Sequence, residues 1–310
     1  MSLFHEPLFS RLLDLTPFSK RELEILIATA PKRYKNHFID KRNGRGKRLI
    51  SQPTAELKFL QRLVVRSELG ILPVHQAATA YRSNLSIKDH ADPHAANRYL
   101  LKLDFKDFFP SIKDATVRYC LSRDTEYSEI ELWMLCQLFC RRDSVTKQLQ
   151  LSIGAPSSPF VSNYIMYEFD TRLTDFCDAN GVKYTRYADD LALSTSQPKL
   201  LNTVEKKIGD LLEELDYLGL RLNKEKTVNV SKKHKRTLVG LVMSNEGHVS
   251  VGRDKKRLLR AKMNYLIQGR LSPEQIGRLR GELAFVYSVD KEFVVSLLDR
   301  YGFPSIDEIS

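Results

Sequence analysis

The chain has 310 residues, 42% of them hydrophobic and 28% charged, with a formal net charge of +11. That length can bury a sizeable core and divide into two or three lobes, and no apolar run reaches the roughly 20 residues that a bilayer-spanning helix needs. The start, Met1 to Pro7, lacks the basic and apolar regions of a signal peptide. Cys120, Cys136, Cys140 and Cys177 lack metal-ligand spacing, so a soluble protein of the reduced cytoplasm is expected.

Taken in order, Ser19 and Glu22 form a capping box before a helix from Lys20 to about Ala30, with Leu23, Leu26 and Ile27 at helical spacing. Gly44 to Arg48 is a turn, and Leu49-Ile50 begins an extended segment that Pro53 stops. Thr54 to Leu69 reads as a helix on Leu57, Leu60, Leu63 and Val64. Tyr99 to Leu103 reads as a strand ending at Asp104. Glu129 to Phe139 and Ser162 to Cys177 read as helices, and Val204 to Leu218 as an amphipathic one with Ile208, Leu211, Leu212 and Leu215 on one side. Thr237 to Met243 and His248 to Val251 look like paired short strands, and the tail from Asp254 is helical. Strands and helices mixed, followed by a helical tail, predict an α+β body with an appended helical lobe.

Positive charge is concentrated rather than spread. Arg221 to Lys262 holds 13 Lys/Arg against 3 Asp/Glu, and Lys32 to Arg48 holds 8 against one. Such clusters suit a polyanion, most simply a nucleic acid, although solvated faces would look similar.

The chemistry concentrates at Tyr187-Ala188-Asp189-Asp190, between the runs Gly181 to Arg186 and Leu191 to Ser194. The pattern reads as a β-hairpin carrying two adjacent carboxylates at its tip. Like charges so close call for a cation, and hard oxygen ligands suit Mg²⁺. Asp104, at the end of its own strand, is a third acid, and strand alternation puts it on one face with Lys102. Three acids on two strands can hold two metals for phosphoryl transfer.

Together with Asp104 to Phe109, with Gly154-Ala155-Pro156-Ser157-Ser158-Pro159 followed by Asn163, with Gly219 to Thr227 and with Leu238-Val239-Gly240, these residues resemble, in family order, the catalytic core of reverse transcriptases. Within that family the chain is similar to the bacterial retron enzymes. It departs from them at His90, where they carry Asn in an Asn-Ala-x-x-His segment, and at Leu238-Val239, where they carry Val-Thr. It also departs at Ile153, where many reverse transcriptases place a Gln. The resemblance covers roughly residues 30 to 290. It implies a right-hand fold of fingers, palm and thumb, with N-terminal helices and fingers over 1–98. The palm would span 99–240, with a fingers insertion at about 113–150, and the thumb 241–310. The reverse transcriptase domain would span about 30–243.

The resemblance also implies roles. Asp104 and Asp189 would bridge two Mg²⁺ ions (Mn²⁺ being an alternative), with Asp190 a weaker ligand or a structural support and the carbonyl of Phe105 a further oxygen. Lys47 and Arg48 would clamp the triphosphate unless they are a solvated turn. Gly154, Pro156, Ser157 and Asn163 would touch the incoming nucleotide and the template. Phe109 would exclude a ribose 2′-OH, with Phe105 and Phe108 in the core. Lys226 would give a proton to pyrophosphate, or be a surface lysine. His94, with His90, would contact RNA or make a structural hydrogen bond, since two histidines lack the remaining ligands of a zinc site. Arg253, Lys255, Lys256, Arg257 and Arg260 would track duplex phosphates and recognise a structured RNA. Retron membership further implies copying of a cognate non-coding RNA into branched RNA-linked DNA from an internal guanosine 2′-OH. It also implies an effector protein as partner in anti-phage defence. The alternatives are a group II intron or diversity-generating reverse transcriptase, or a catalytically silent RNA-binding scaffold.

Overall fold

The computed structural model describes residues 3–40, 44 and 46–309. Helices α1 (Pro7–Asp14) and α2 (Lys20–Thr29) lead into an antiparallel hairpin of β1 (Tyr34–Asp40) and β2 (Lys47–Pro53). The capping box that starts α2 is present: Ser19 Oγ accepts from the Glu22 amide, and the Glu22 carboxylate accepts from the Ser19 N–H. Helix α3 (Ala55–Ser67) buries Leu57, Leu60 and Val64, as their spacing predicts. Helix α4 (Ile87–Ala95) has no counterpart in the sequence reading, because Pro93 and its polar neighbours obscure the periodicity. A second capping box, Ser86 with Asp89, nucleates it.

After β3 (Tyr99–Asp104) come α5 (Phe108–Ser111), α6 (Asp114–Asp124) and α7 (Glu129–Phe139), then a short ribbon of β4 (Arg141–Arg142) and β5 (Leu149–Gln150). The helix expected over Ser162 to Cys177 is instead two, α8 (Ser158–Ile165) and α9 (Tyr167–Ala179). They bend at Met166, where ψ is 0°, while the i to i−4 bonds of Met166 and Asp170 continue across the bend. Strands β6 (Lys183–Tyr187) and β7 (Asp190–Thr195) form the expected hairpin, followed by α10 (Leu200–Glu214) and β8 (Val228–Ser231). The segment Thr237 to Met243 is itself a hairpin rather than one strand. Strand β9 (Arg236–Leu238) pairs with β10 (Leu241–Met243), which also pairs with β11 (Val249–Ser250). The turn uses Val239 at φ 43° and Gly240 at φ 87°, the two positive φ values that a tight two-residue hairpin demands. Helices α11 (Arg253–Ile267), α12 (Pro273–Val289) and α13 (Lys291–Tyr301) complete the chain.

The central sheet is antiparallel, in the order β6-β7-β3-β8. Because side chains alternate across a strand, its two faces serve two cores. Leu101 and Leu103 of β3, with Leu191 and Leu193 of β7, pack into a large core shared with α1 to α3, α7, α9 and α10. Leu100 and Ala192 face the other way, into a core built from α4, the β9–β11 sheet and the three C-terminal helices. Asp104 and Asp190 follow the parity of Leu100 and Ala192. Burying the leucines on one face therefore forces both acids onto the other.

Candidate active site

In the pairing of β3 with β7, Asp104 stands directly opposite Asp190. Directly opposed antiparallel residues have Cα atoms roughly 4.5–5.5 Å apart. The Phe105 amide donates to the Asp189 carbonyl at 3.1 Å, so the hairpin tip is stitched to the end of β3. Phe105 and Phe108 are buried and stacked, with centroids 5.7 Å apart. The tip itself turns at Ala188, held at φ 57°. An L-residue pays roughly 1–2 kcal/mol there, so neighbouring contacts must hold the turn.

Acidic charge is crowded at this point. Desolvation, then the charges of Asp189 and Asp104, push the Asp190 carboxyl up to about 6. Asp189 is raised as well, by burial and then by Asp104. Oxygen donors with an excess of negative charge fit hard divalent cations. Among the described residues, no group of three or more His, Cys, Asp or Glu is gathered tightly enough to form a ready metal cluster. The Asp104 carboxylate is turned onto an ammonium instead. Lys226 Nζ lies 2.8 Å from Oδ1 and 2.7 Å from Oδ2. Asn223 N–H donates to the Asp104 carbonyl at 2.7 Å, and Lys106 N–H to the Arg221 carbonyl at 2.9 Å, which seats the segment carrying Lys226 beside β3.

Arg48 is near enough for its charge to act on the Asp189 carboxyl. Lys47 and Arg48 are exposed at the start of β2. Strand β2 reaches the Gly154 loop through Ser51 N–H, which donates to the Ile153 carbonyl at 2.8 Å. Gly154 has φ 113°, and a Cβ there would sit 2.9 Å from the Ser51 carbonyl oxygen, so no other residue fits this close approach. Gly154 is exposed and Pro156 half-buried. Phe109 is half-buried at the start of α5, just after Asp107 at φ 47°.

Other expected contacts fall elsewhere. His94 is fully buried: Nδ1 is 2.7 Å from Ser194 Oγ, and Nε2 is 2.8 Å from Thr185 Oγ1. His90 Nδ1 is 2.8 Å from the same Thr185 oxygen. Of the two expectations for this pair, the structure shows the hydrogen-bonded one, and His94 presents no surface to RNA. Burial drives both imidazoles toward the neutral form, His90 down to about 4 and His94 to about 3. Ser157 and Asn163, expected at the template, are likewise buried. Asn163 donates to the Ala80 carbonyl at 2.9 Å. The basic face of α11 is partly committed to its own unit. Lys255 and Lys262 both pair with Glu282, Lys256 pairs with Asp290, and Lys256 and Arg260 lie over the Phe293 ring. Arg253, Arg257 and Arg260 remain exposed.

One group at the site escaped the sequence reading. Arg186, next to the hairpin tip, is fully buried and paired with the equally buried Asp170 of α9 at 2.5 Å. Its Nη1 donates at 3.1 Å both to Asn163 Oδ1 and to the carbonyl of Ala188. Tyr184 Oη donates to Asp170 Oδ1 at 2.7 Å. The strained tip therefore hangs from a buried guanidinium whose charge is matched and whose donors are used. The available signal was weak, because β6 reads Lys-Tyr-Thr-Arg-Tyr and Arg186 is one of three polar residues in it.

The family described as "Reverse transcriptase (RNA-dependent DNA polymerase)" matches residues 39–243. The retron Ec83 reverse transcriptase of Escherichia coli is 35% identical over 93% of this chain and 93% of its own length. The retron Ec86 reverse transcriptase of the same organism is 32% identical over 96% and 92%. Among solved structures, apo telomerase from Candida Tropicalis aligns at a TM-score of 0.48 with 13% identity, over 88% of this chain and 58% of that one. Reverse transcriptases are right-hand polymerases that use divalent metal ions, in accord with the antiparallel sheet and the acids on it. On the extent of the family match and the identity to the curated relatives, this chain belongs to the retron reverse transcriptases and is an RNA-directed DNA polymerase.

Proposed function

We propose that the enzyme copies part of a cognate structured RNA into branched RNA-linked single-stranded DNA, starting from an internal guanosine 2′-OH. The observation that carries the polymerase site is the register that sets Asp104 opposite Asp190, with Asp189 tied to Phe105. In this reading Asp104 and Asp189 would hold two Mg²⁺ ions, or Mn²⁺ in their place. Asp190 would be a weaker ligand and the Phe105 carbonyl a further one. When bound, such ions lower the pKa of the primer hydroxyl and neutralise charge on the triphosphate. Lys47 and Arg48 draw the triphosphate into the cleft. Phe109 blocks a ribose 2′-OH. Lys226, once released from Asp104, protonates the leaving pyrophosphate. Gly154 and Pro156 line the nucleotide side, while Arg253, Arg257 and Arg260 meet duplex phosphates. Residues 1–98, 99–240 and 241–310 are then N-terminal helices with fingers, palm with its insertion at about 113–150, and thumb.

Primer extension on an RNA template tests the centre. Asp189→Asn with Asp190→Asn abolishes DNA synthesis, and full-length product from that variant would revive the silent scaffold. Sequencing of the nucleic acid co-purified with the protein tests the retron reading. A 2′,5′-branched RNA–DNA joint supports the proposed product, whereas unbranched cDNA would mean that synthesis does not start from an internal 2′-OH. Action in the cytoplasm and anti-phage defence with an effector protein rest on retron membership alone. They are tested by plaque counts in cells that carry the enzyme with and without its RNA. Among the described residues, no helix is long and apolar enough to cross a membrane.

A further inference from the structure

Tyr81 belongs to none of the motifs above, yet the fold delivers it to the cleft. Its backbone sits at φ 63°, where bulky L-residues are rare, and the residue as a whole is 55% exposed. The chain before it is held with unusual thoroughness. Ala78 bridges Arg186 in parallel, Arg186 N–H donates to the Ala77 carbonyl at 2.7 Å, and Thr79 N–H donates to the Arg186 carbonyl at 2.8 Å. Thr79 Oγ1 donates to that same carbonyl at 3.1 Å. Asn163 Nδ2 holds the Ala80 carbonyl at 2.9 Å, and Asn163 is itself held by Arg186. The guanidinium that suspends the Asp189 turn therefore also fixes the segment that ends in Tyr81.

The ring points to the same place. Its centroid lies 6.4 Å from that of Phe109, at a tilt of 50°. The charges of Asp189 and Arg48 both act on its phenol, which burial and Asp189 together raise. Tyr81 thus borders the space enclosed by the phosphate-attracting arginine, the catalytic tip and the ring assigned to the sugar. An exposed aromatic kept in a strained backbone conformation that glycine would adopt freely is a functional signature. Aromatic rings recognise nucleotides by stacking and apolar contact.

We propose that Tyr81 is a contact residue for the incoming deoxynucleoside triphosphate, its ring forming with Phe109 the apolar wall of the nucleotide pocket. This rests on the assignment of the Asp104–Asp189 cleft as the polymerase site and of Phe109 as its sugar gate. The wall needs the ring and not the hydroxyl.

Tyr81→Gly suits the left-handed backbone, and Tyr81→Phe keeps the ring. Primer extension on a fixed RNA template with saturating primer reads KM and kcat for each nucleotide. Equilibrium binding of the template–primer and the melting temperature are measured alongside. The expected result for Tyr81→Gly is a KM for dNTP raised about tenfold, with kcat within about threefold and template–primer affinity unchanged. Tyr81→Phe should stay within about twofold of the parent. An unchanged KM in Tyr81→Gly overturns the proposal. So does a loss confined to template–primer binding, which would place the ring on the template instead. A parallel fall of kcat and melting temperature that Tyr81→Phe does not rescue also overturns it. Phe109→Val, run in parallel, reports the sugar gate separately. If it leaves ribonucleotide exclusion intact while Tyr81→Gly still raises KM, the gate assignment fails and Tyr81 stands.

Discussion

Lys226 and Asp104, separated by 122 residues in the chain, meet as a two-point ion pair at 2.7 and 2.8 Å. The ammonium lies on the carboxylate proposed to hold the divalent ions, so on that proposal lysine and ion compete for one partner. Lys226→Met is therefore expected to bind Mn²⁺ more tightly, read by electron paramagnetic resonance of free Mn²⁺. It should also polymerise roughly a hundredfold more slowly, because the leaving pyrophosphate loses its proton donor. Weaker Mn²⁺ binding in the variant would show that the two do not compete.

The Arg186–Asp170 pair is fully buried. Removing one partner strands the other charge, and Asp170→Ala should destabilise the fold by about 3–5 kcal/mol in urea unfolding. The double variant Arg186→Met with Asp170→Leu should recover much of that stability, since apolar replacements of similar volume are often neutral. Polymerisation should stay low in the double variant, because nothing then holds the Ala188 carbonyl. Restoration of activity along with stability would reduce the pair to packing alone.

Two neutral imidazoles beneath the hairpin make the fold sensitive to acid. Their folded pKa values, about 4 for His90 and about 3 for His94, lie below the unfolded value of roughly 6.5. Above that value neither state binds the protons. As pH falls below it, the unfolded chain takes them up and the folded one does not, so stability declines until the folded pKa values are reached. Between pH 7.5 and 5, urea unfolding should lose roughly 2 kcal/mol per histidine more in the parent than in a His90→Asn, His94→Gln variant. Parallel pH profiles would contradict this.

Gly154 stands where a Cβ would meet the Ser51 carbonyl oxygen at 2.9 Å. The obstacle is backbone and cannot swing aside. Gly154→Ala should part the loop from β2, raise the KM for nucleotide severalfold and lower stability by about 1–3 kcal/mol. A variant with parental KM and melting temperature would mean that β2 simply moves.

What could be read from the sequence was local. The 3.6-residue spacing in α3, the Ser19 and Glu22 cap and the alternation that ends β3 at Asp104 each depend on residues within a turn or two of one another. The polymerase motifs belonged to the same class, because the Tyr187 to Asp190 tip is a short-range signal on a hairpin. The break at Met166 and helix α4 escaped, since Pro93 and its polar neighbours blur the pattern of α4 and no breaker residue marks Met166. The partners were decided only in three dimensions. Nothing near Arg186 announces Asp170 of α9, Lys226 gives no sign of lying on Asp104, and Tyr81 carries no mark of its place beside Phe109. Chain chemistry determines which groups can ionise, turn or stack. Which of them meet depends on how two cores close on opposite faces of one sheet, and that is a property of the whole polymer.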